Sequence, residues 1–163
     1  YGSDKCPQIK HYYTPYYFEL FESRRETVKK VVEIGVGEGA SLRMWRDFFP
    51  NAMIYGAEIE DKRIFEDEQI KVFKCDQSKI EDLQQLLKNT GTDIDLFVDD
   101  GSHKSEDQLF TAVNVVPMLK KGVTYIIEDV ADDTLFDKVN YYFKCELIRL
   151  SKRYDDRLII IKK

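Results

Sequence analysis

The sequence predicts an α/β domain: a doubly wound sheet of about five parallel strands, closed by a C-terminal antiparallel hairpin. Three observations predict it. Short apolar runs alternate with helix-like stretches almost throughout the 163 residues. Glycines and acids cluster just after several of those runs, where an open α/β sheet binds its ligands. The last two runs are separated only by the polar turn Lys152-Arg153-Tyr154-Asp155-Asp156, too short for a helical crossover.

The strands are expected near Val31–Gly35, Met53–Ile59, Lys71–Asp76, Ile94–Asp100 and Val123–Asp129, with the hairpin at Cys145–Ser151 and Arg157–Lys162. Thr14 followed by Pro15 reads as the cap and first position of a helix through Phe18 and Phe21. Ser78 with Glu81 reads as a capping box, followed by the stripe Ile80, Leu83 and Leu87 and a stop at Gly91. A helix from about Lys104 is expected to end at Gly122, with Ser102 as its cap. Asp132 or Asp133 caps the helix carrying Leu135, Val139 and Tyr142. No repeat or linker interrupts the pattern, so residues 1–163 read as one domain.

Composition narrows the function. Hydrophobic residues are 43% and charged residues 34%, which is globular rather than disordered. A net charge of −5 argues against nonspecific nucleic-acid binding as the main role. No apolar run approaches the ~20 residues of a membrane span, and no secretory signal is visible. Cys6, Cys75 and Cys145 are odd in number and scattered, without a C-x-x-C pair, which fits a reducing cytoplasm. The first residue is Tyr rather than Met, which fits a trimmed chain.

Two clusters carry chemistry. Asp99-Asp100-Gly101-Ser102-His103 follows the run Ile94–Val98, so two carboxylates and an imidazole emerge where a strand ends. A carboxylate there can hold a hard cation, and an imidazole can move a proton near neutrality. The second cluster is Glu33-Ile34-Gly35-Val36-Gly37-Glu38-Gly39. Glycines between strand and helix let the backbone approach a ligand. Gly35-x-Gly37-x-x-Ala40 also fits a dinucleotide fingerprint, so an NAD-dependent oxidoreductase is one alternative. Glu33 is poorly suited to a pyrophosphate and well suited to a cofactor bearing an amino group and a sulfonium. Glu58, at the end of the next strand, can accept hydrogen bonds from ribose hydroxyls, and Asp76 ends the third. Asp100 could instead cap a helix, and Glu128 and Asp129 could be loop charges. Yet three acids at adjacent strand ends repel one another unless a cation intervenes. His11 is a pocket or lid candidate, and Tyr12 and Tyr13 are candidates to close over a cofactor. Phe18, Phe21, Trp45 and Phe48 read as core.

At these residues the chain resembles class I S-adenosylmethionine-dependent methyltransferases, whose sheet is Rossmann-like. Glu33–Gly39 matches their E/D-x-G-x-G-x-G motif, Glu58 their ribose-binding acid and Asp76 their adenine contact. The terminal hairpin matches their antiparallel addition. The narrower likeness is to the metal-dependent sugar O-methyltransferases of macrolide biosynthesis. It rests on Val98–His103, on Ile127-Glu128-Asp129, and on the opening Tyr1-Gly2-Ser3-Asp4-Lys5 with His11 and Tyr13. That resemblance implies Asp100, Glu128 and Asp129 as Mg²⁺ ligands and His103 as the base. The cofactor set it implies is Glu33, Gly35, Gly37, Gly39, Glu58, Asp76 and Asp99. The expected function is S-adenosylmethionine-dependent O-methylation, assisted by Mg²⁺, of a small hydroxylated substrate such as a sugar. A non-catalytic methyltransferase-like binding subunit is the other alternative. Macrolide enzymes carry N-terminal structure around the substrate pocket that this sequence lacks, so the acceptor does not carry over. The pocket is expected to be open, or completed by a second subunit in a homo-oligomer.

Overall fold

Five apolar runs become parallel strands because both of their faces are covered. In the computed structural model, which describes residues 2–163, the strands are β1 (Lys30–Ile34), β2 (Met53–Glu58), β3 (Ile70–Lys74), β4 (Leu96–Asp99) and β5 (Thr124–Ile127). The hairpin strands are β6 (Cys145–Arg149) and β7 (Arg157–Lys162). The helices are α1 (Tyr13–Phe21), α2 (Ala40–Phe48), α3 (Ile80–Thr90), α4 (Ser105–Val115) and α5 (Asp133–Tyr142). The sheet order is β3-β2-β1-β4-β5-β7-β6, parallel from β3 to β5, with β7 antiparallel to both β5 and β6. The doubly wound α/β sheet with its terminal hairpin is therefore present.

Alternation along each strand assigns the two cores. Val31, Leu96, Val98 and Ile126 pack with Tyr17, Phe21, Leu42 and Trp45 of α1 and α2. Val32, Ile34, Phe97 and Ile127 pack with Leu83, Leu87, Ala112 and Leu135 of α3, α4 and α5. Phe21 and Trp45 are buried as expected, whereas Phe18 stands partly in solvent. The strand order reverses between β1 and β4, two parallel neighbours, which makes that edge the switch point of the sheet. Asp100 N–H donates to Ile34 O at 2.9 Å there, holding the two strand ends together.

Several local expectations need correction. The expected strands overrun: β4 ends at Asp99 and β5 at Ile127, each followed by one more backbone bond, from Asp100 N–H to Ile34 O and from Glu128 N–H to Asp99 O. Helix α1 begins at Tyr13 without a side-chain cap, since Thr14 N–H is taken by Lys5 O. Ser78 does not cap α3; its hydroxyl donates to Asp76, and Asp82 rather than Glu81 reaches back, to Asp76 N–H. Helix α4 starts at Ser105, close to the expected Lys104, but Lys104 rather than Ser102 stands at its cap position; it ends at Val115 in a short turn containing Pro117, and Gly122 lies in the later loop before β5. Asp132 does cap α5, accepting from Thr134 and Leu135 N–H, and α3 does stop at Gly91.

Candidate active site

The switch point opens into a cleft of two adjoining lobes. The first, of about 400 Å³, is lined by the Gly35–Glu38 loop, Glu58, Asp100, His103 and residues 2–4. The second, of about 410 Å³, runs past Glu58 and Ile59 to Asp76, Gln77 and Ser102. Gly35, Glu58 and Gly101 line both.

The glycine loop folds this way because its residues reach conformations that side chains resist. Gly35, Gly37 and Gly39 have φ of 92°, 50° and 71°. A Cβ at Gly35 would lie 1.9 Å from Asp100 O, and one at Gly39 2.8 Å from the Phe65 ring. At Gly37 a Cβ meets nothing within 4 Å, so that position is an open wall of the first lobe. Glu58 closes the loop from β2: its carboxylate accepts from Val36 N–H at 3.0 Å, Gly37 N–H at 3.3 Å and Ile59 N–H at 2.8 Å. In the second lobe, Ser78 and Lys79 hold the Asp76 carboxyl below its ordinary range.

Two residues expected to face a cofactor do not reach the cleft. Glu33 shares a strand face with Val31, so its carboxylate turns toward α2. There it accepts from Ser41 Oγ at 2.6 Å and Trp45 Nε1 at 3.1 Å, fully buried. Asp99 alternates to the opposite face, where Gln77 Nε2 donates to it at 3.0 Å. Burial pushes its pKa up to about 7. Gln77 was not foreseen. It lines the second lobe and also accepts from Ser102 N–H at 2.6 Å.

The acids sort into two groups. Asp100, His103 and Asp129 bring ligand atoms within 4.8 Å of one another. His103 Nε2 lies 3.2 Å from Asp100 Oδ1, and Nδ1 lies 3.6 Å from Asp129 Oδ2. Hydrogen bonding to Asp100, against partial burial, raises the His103 pKa, and the ring stands between the two carboxylates. Among the described residues, His103 and Asp129 are the non-glycine residues at positive φ, 57° and 52°. Backbone strain of this kind persists where the surroundings over-determine it, often at functional sites. The two carboxylates of this group are oxygen ligands that fit a hard divalent ion, with the imidazole beside them.

Glu128, the remaining acid of the expected ligand set, falls in the other group. Both of its oxygens are taken, Oε1 by the Tyr17 hydroxyl and Oε2 by Lys5 Nζ, each at 2.5 Å. Burial pushes its carboxyl well above the usual range. Lys5 is the cation that intervenes among the acids. Its Nζ is 2.5 Å from Asp100 Oδ2 and 3.3 Å from Glu33 Oε1. Burial works against its charge, but these carboxylates outweigh it and hold its pKa well above the ordinary value. Lys5 and His103 in turn hold the Asp100 carboxyl below its range despite burial.

His11 and Tyr13 serve Asp129 rather than lining or closing the cleft. His11 is buried, with Nε2 3.4 Å from Asp129 Oδ1 and Nδ1 3.4 Å from Asp156 Oδ1. Its ring stacks on Tyr13, whose hydroxyl donates to Asp129 Oδ1 at 2.6 Å. Tyr12 is exposed and lines neither lobe. No helix is long and apolar enough to cross a membrane among the described residues.

Against known proteins, no family model matches. The chain is 35% identical over 127 residues to mycinamicin VI 2''-O-methyltransferase of Micromonospora griseorubida, covering 74% of this chain and 32% of that protein. It is 36% identical over 127 residues to demethylmacrocin O-methyltransferase of Streptomyces fradiae, with the same coverage. The chain thus spans about a third of the length of these curated relatives. Among solved structures it is similar to the MycE methyltransferase of the mycinamycin biosynthetic pathway, in complex with Mg, SAH and mycinamycin VI. The TM-score is 0.78 at 27% identity, over 94% of this chain and 50% of that one. The N-methyltransferase NodS from Bradyrhizobium japonicum WM9, at TM-score 0.57 and 16% identity over 91% of this chain and 95% of that one, shares the fold alone. The sheet is thus the Rossmann-like methyltransferase sheet. The relatives are methyltransferases, which disfavours the oxidoreductase alternative.

Proposed function

With its resemblance to S-adenosylmethionine-dependent sugar O-methyltransferases as the premise, we propose that this chain is the catalytic domain, 1–163, of an O-methyltransferase. Its acceptor is a hydroxyl of a small molecule such as a sugar, and Mg²⁺ assists. One observation carries the reading: Asp100 and His103, which cluster with the buried Asp129, line the same lobe as the glycine loop. A methyl donor and a hydroxyl acceptor can therefore meet there.

S-adenosylmethionine supplies an activated methyl group, and Mg²⁺ lowers the pKa of a hydroxyl bound to it. The chain's own residues do the rest. Gly35, Gly37 and Gly39 shape the wall along which the donor would lie. Glu58 exchanges its loop amides for ribose hydroxyls, and Asp76 stands where the base would end. Asp100, Glu128 and Asp129 would hold the cation, with Asp129 releasing Lys10, 3.5 Å from its Oδ2. His103, between Asp100 and Asp129, is the group placed to take the acceptor's proton, and fixing the acceptor beside it supplies orientation. A cytoplasmic location and a homo-oligomer that completes the pocket belong to the same proposal.

The test is titration calorimetry with S-adenosylhomocysteine, followed by turnover on a panel of hydroxylated sugars and glycosides with Mg²⁺ or EDTA. We expect binding that Glu58→Ala weakens by roughly 1–3 kcal/mol, and methylation that EDTA suppresses while binding persists. Absence of S-adenosylhomocysteine binding in the folded protein would overturn the reading. Turnover indifferent to EDTA would remove Mg²⁺ from it.

A further inference from the structure

One buried amide links the second lobe of the cleft to the turn that carries His103. Gln77 follows Asp76 in the loop between β3 and α3, is 7% exposed, and lines the second lobe. Its Nε2 donates to Asp99 Oδ1 at 3.0 Å and to Thr111 Oγ1 at 3.2 Å, and its Oε1 accepts from Ser102 N–H at 2.6 Å. Only one orientation of the amide satisfies this set. The Ser102 N–H can only donate, and the Thr111 hydroxyl already gives its proton to Asp107 O. A reversed amide would set its NH₂ against Ser102 N–H. The approach also depends on Gly101, where a Cβ would lie 1.9 Å from Gln77 Oε1 and 2.8 Å from its Cδ.

The residue after this turn is His103, at a φ of 57°. Backbone in that region stays put only where its surroundings hold it. Gln77 holds it on the N-terminal side, through Ser102 N–H. On the C-terminal side, Ser102 Oγ accepts from Lys104 N–H at 3.3 Å and donates to Asp107 Oδ2 at 2.7 Å. Gly101, at the centre of the turn, lines both lobes.

We infer that Gln77 is a positioning residue for His103. It acts through Ser102: the amide pins the turn against β4 and α4, and the pinned turn fixes where the imidazole stands in the first lobe. The inference rests on the methyltransferase reading, which makes His103 the base, and deepens it. A base works only within hydrogen-bond reach of the proton it takes, and a misplacement of about 1 Å can cost roughly 10²-fold in rate.

The test records the ring signals of the two histidines, carbon-13 labelled, by nuclear magnetic resonance of the whole chain in EDTA. The set missing from His103→Ala belongs to His103. Wild type is compared with Gln77→Met, Thr111→Val and Gly101→Ala. Methionine keeps the length of the side chain and removes its hydrogen bonds. Thr111→Val removes one buried partner of the same amide and leaves Ser102 N–H bonded. We expect the His103 signals to shift and broaden in Gln77→Met and Gly101→Ala, and to hold their wild-type positions in Thr111→Val. The His11 signals should hold in all of them. In steady-state assays Gln77→Met should lower kcat roughly 10–100-fold, with acceptor KM and S-adenosylhomocysteine Kd changed by less than about 3-fold. Wild-type His103 signals in a folded Gln77→Met overturn the inference. So does a fall in S-adenosylhomocysteine affinity with kcat retained, which would make Gln77 a cofactor contact instead. Should circular dichroism show that Gln77→Met does not fold, Gly101→Ala is compared with Gly101→Ala/Gln77→Ala. Removing the side chain that the new Cβ meets should raise the thermal midpoint while the His103 signals stay displaced. No rise, or a return of those signals to their wild-type positions, overturns the inference. Wild-type turnover by His103→Ala would remove the base from the methyltransferase reading, and the ring signals would still decide whether Gln77 places that side chain.

Discussion

Two glycines of one loop should respond in opposite ways to the same methyl group. At Gly35 a Cβ would lie 1.9 Å from Asp100 O and 2.6 Å from its carbonyl carbon, at a φ of 92°. That carbonyl cannot retreat freely, because Asp100 N–H is bonded to Ile34 O and its side chain to Lys5. Gly35→Ala must therefore part β1 from β4. The cost is about 1–2 kcal/mol of left-handed strain and about 1 kcal/mol for each ladder bond lost. We expect a loss of at least ~3 kcal/mol, together with loss of S-adenosylhomocysteine binding. At Gly37 the φ is 50° and nothing lies within 4 Å. Gly37→Ala should cost only about 1 kcal/mol, part of the strain being offset by a less flexible unfolded chain. Its methyl instead occupies the first lobe, so affinity should fall in a protein that remains folded. Urea unfolding followed by the fluorescence of Trp45, the single tryptophan, measures the first quantity. Calorimetry measures the second. If the two variants were destabilised equally, the close approach of Gly35 to Asp100 would be wrong.

Three further outcomes are expected. Burial raises the Asp99 pKa from 3.8 to about 7, with Asp100 adding to the rise and Gln77, Gly101 N–H and His103 opposing it. A raised acid stabilises the fold fully below its unfolded pKa, and that contribution is lost as pH climbs through the folded value. At 1.36 kcal/mol per pH unit the ceiling is roughly 4 kcal/mol. Asp99→Asn in EDTA should flatten wild-type stability between pH 4 and 8, and parallel curves for the two proteins would sink the assignment. His103→Ala should lower turnover roughly 10²–10⁴-fold in steady-state assays while S-adenosylhomocysteine affinity holds; wild-type turnover under chemistry-limited conditions would make His103 structural. His11→Ala removes the ring between Asp129 and Asp156. It should weaken Mn²⁺ binding roughly 10–100-fold in an electron paramagnetic resonance titration, the scale for an outer partner of a metal ligand; unaltered affinity would leave His11 as packing.

Period and punctuation were enough to read the sheet from the sequence. Each strand is a short apolar run whose two faces both need cover, and glycines or acids follow where the backbone must turn. That local pattern also placed the glycine loop, Glu58, Asp76, Asp100, His103 and Asp129 at one edge. Side-chain direction was less secure. Glu33 and Asp99 sit in the right strands, but alternation turns one toward α2 and the other toward Gln77. Reading their parity against Val31 and Phe97 would have shown it.

What only the tertiary structure decided is how the acids divide. Lys5 lies 95 and 123 residues from Asp100 and Glu128, and nothing local marks it as their partner. His11 and Tyr13 are likewise bound to the far end of β5. A carboxylate's role depends on which charge faces it at a few ångströms, since desolvation and pairing both act at that range. Chain proximity does not set that distance. The sequence by itself determined a methyltransferase-like sheet with acids along its binding edge. Folding the N-terminal segment across that edge determined which of those acids are held in the interior and which are left facing the cleft.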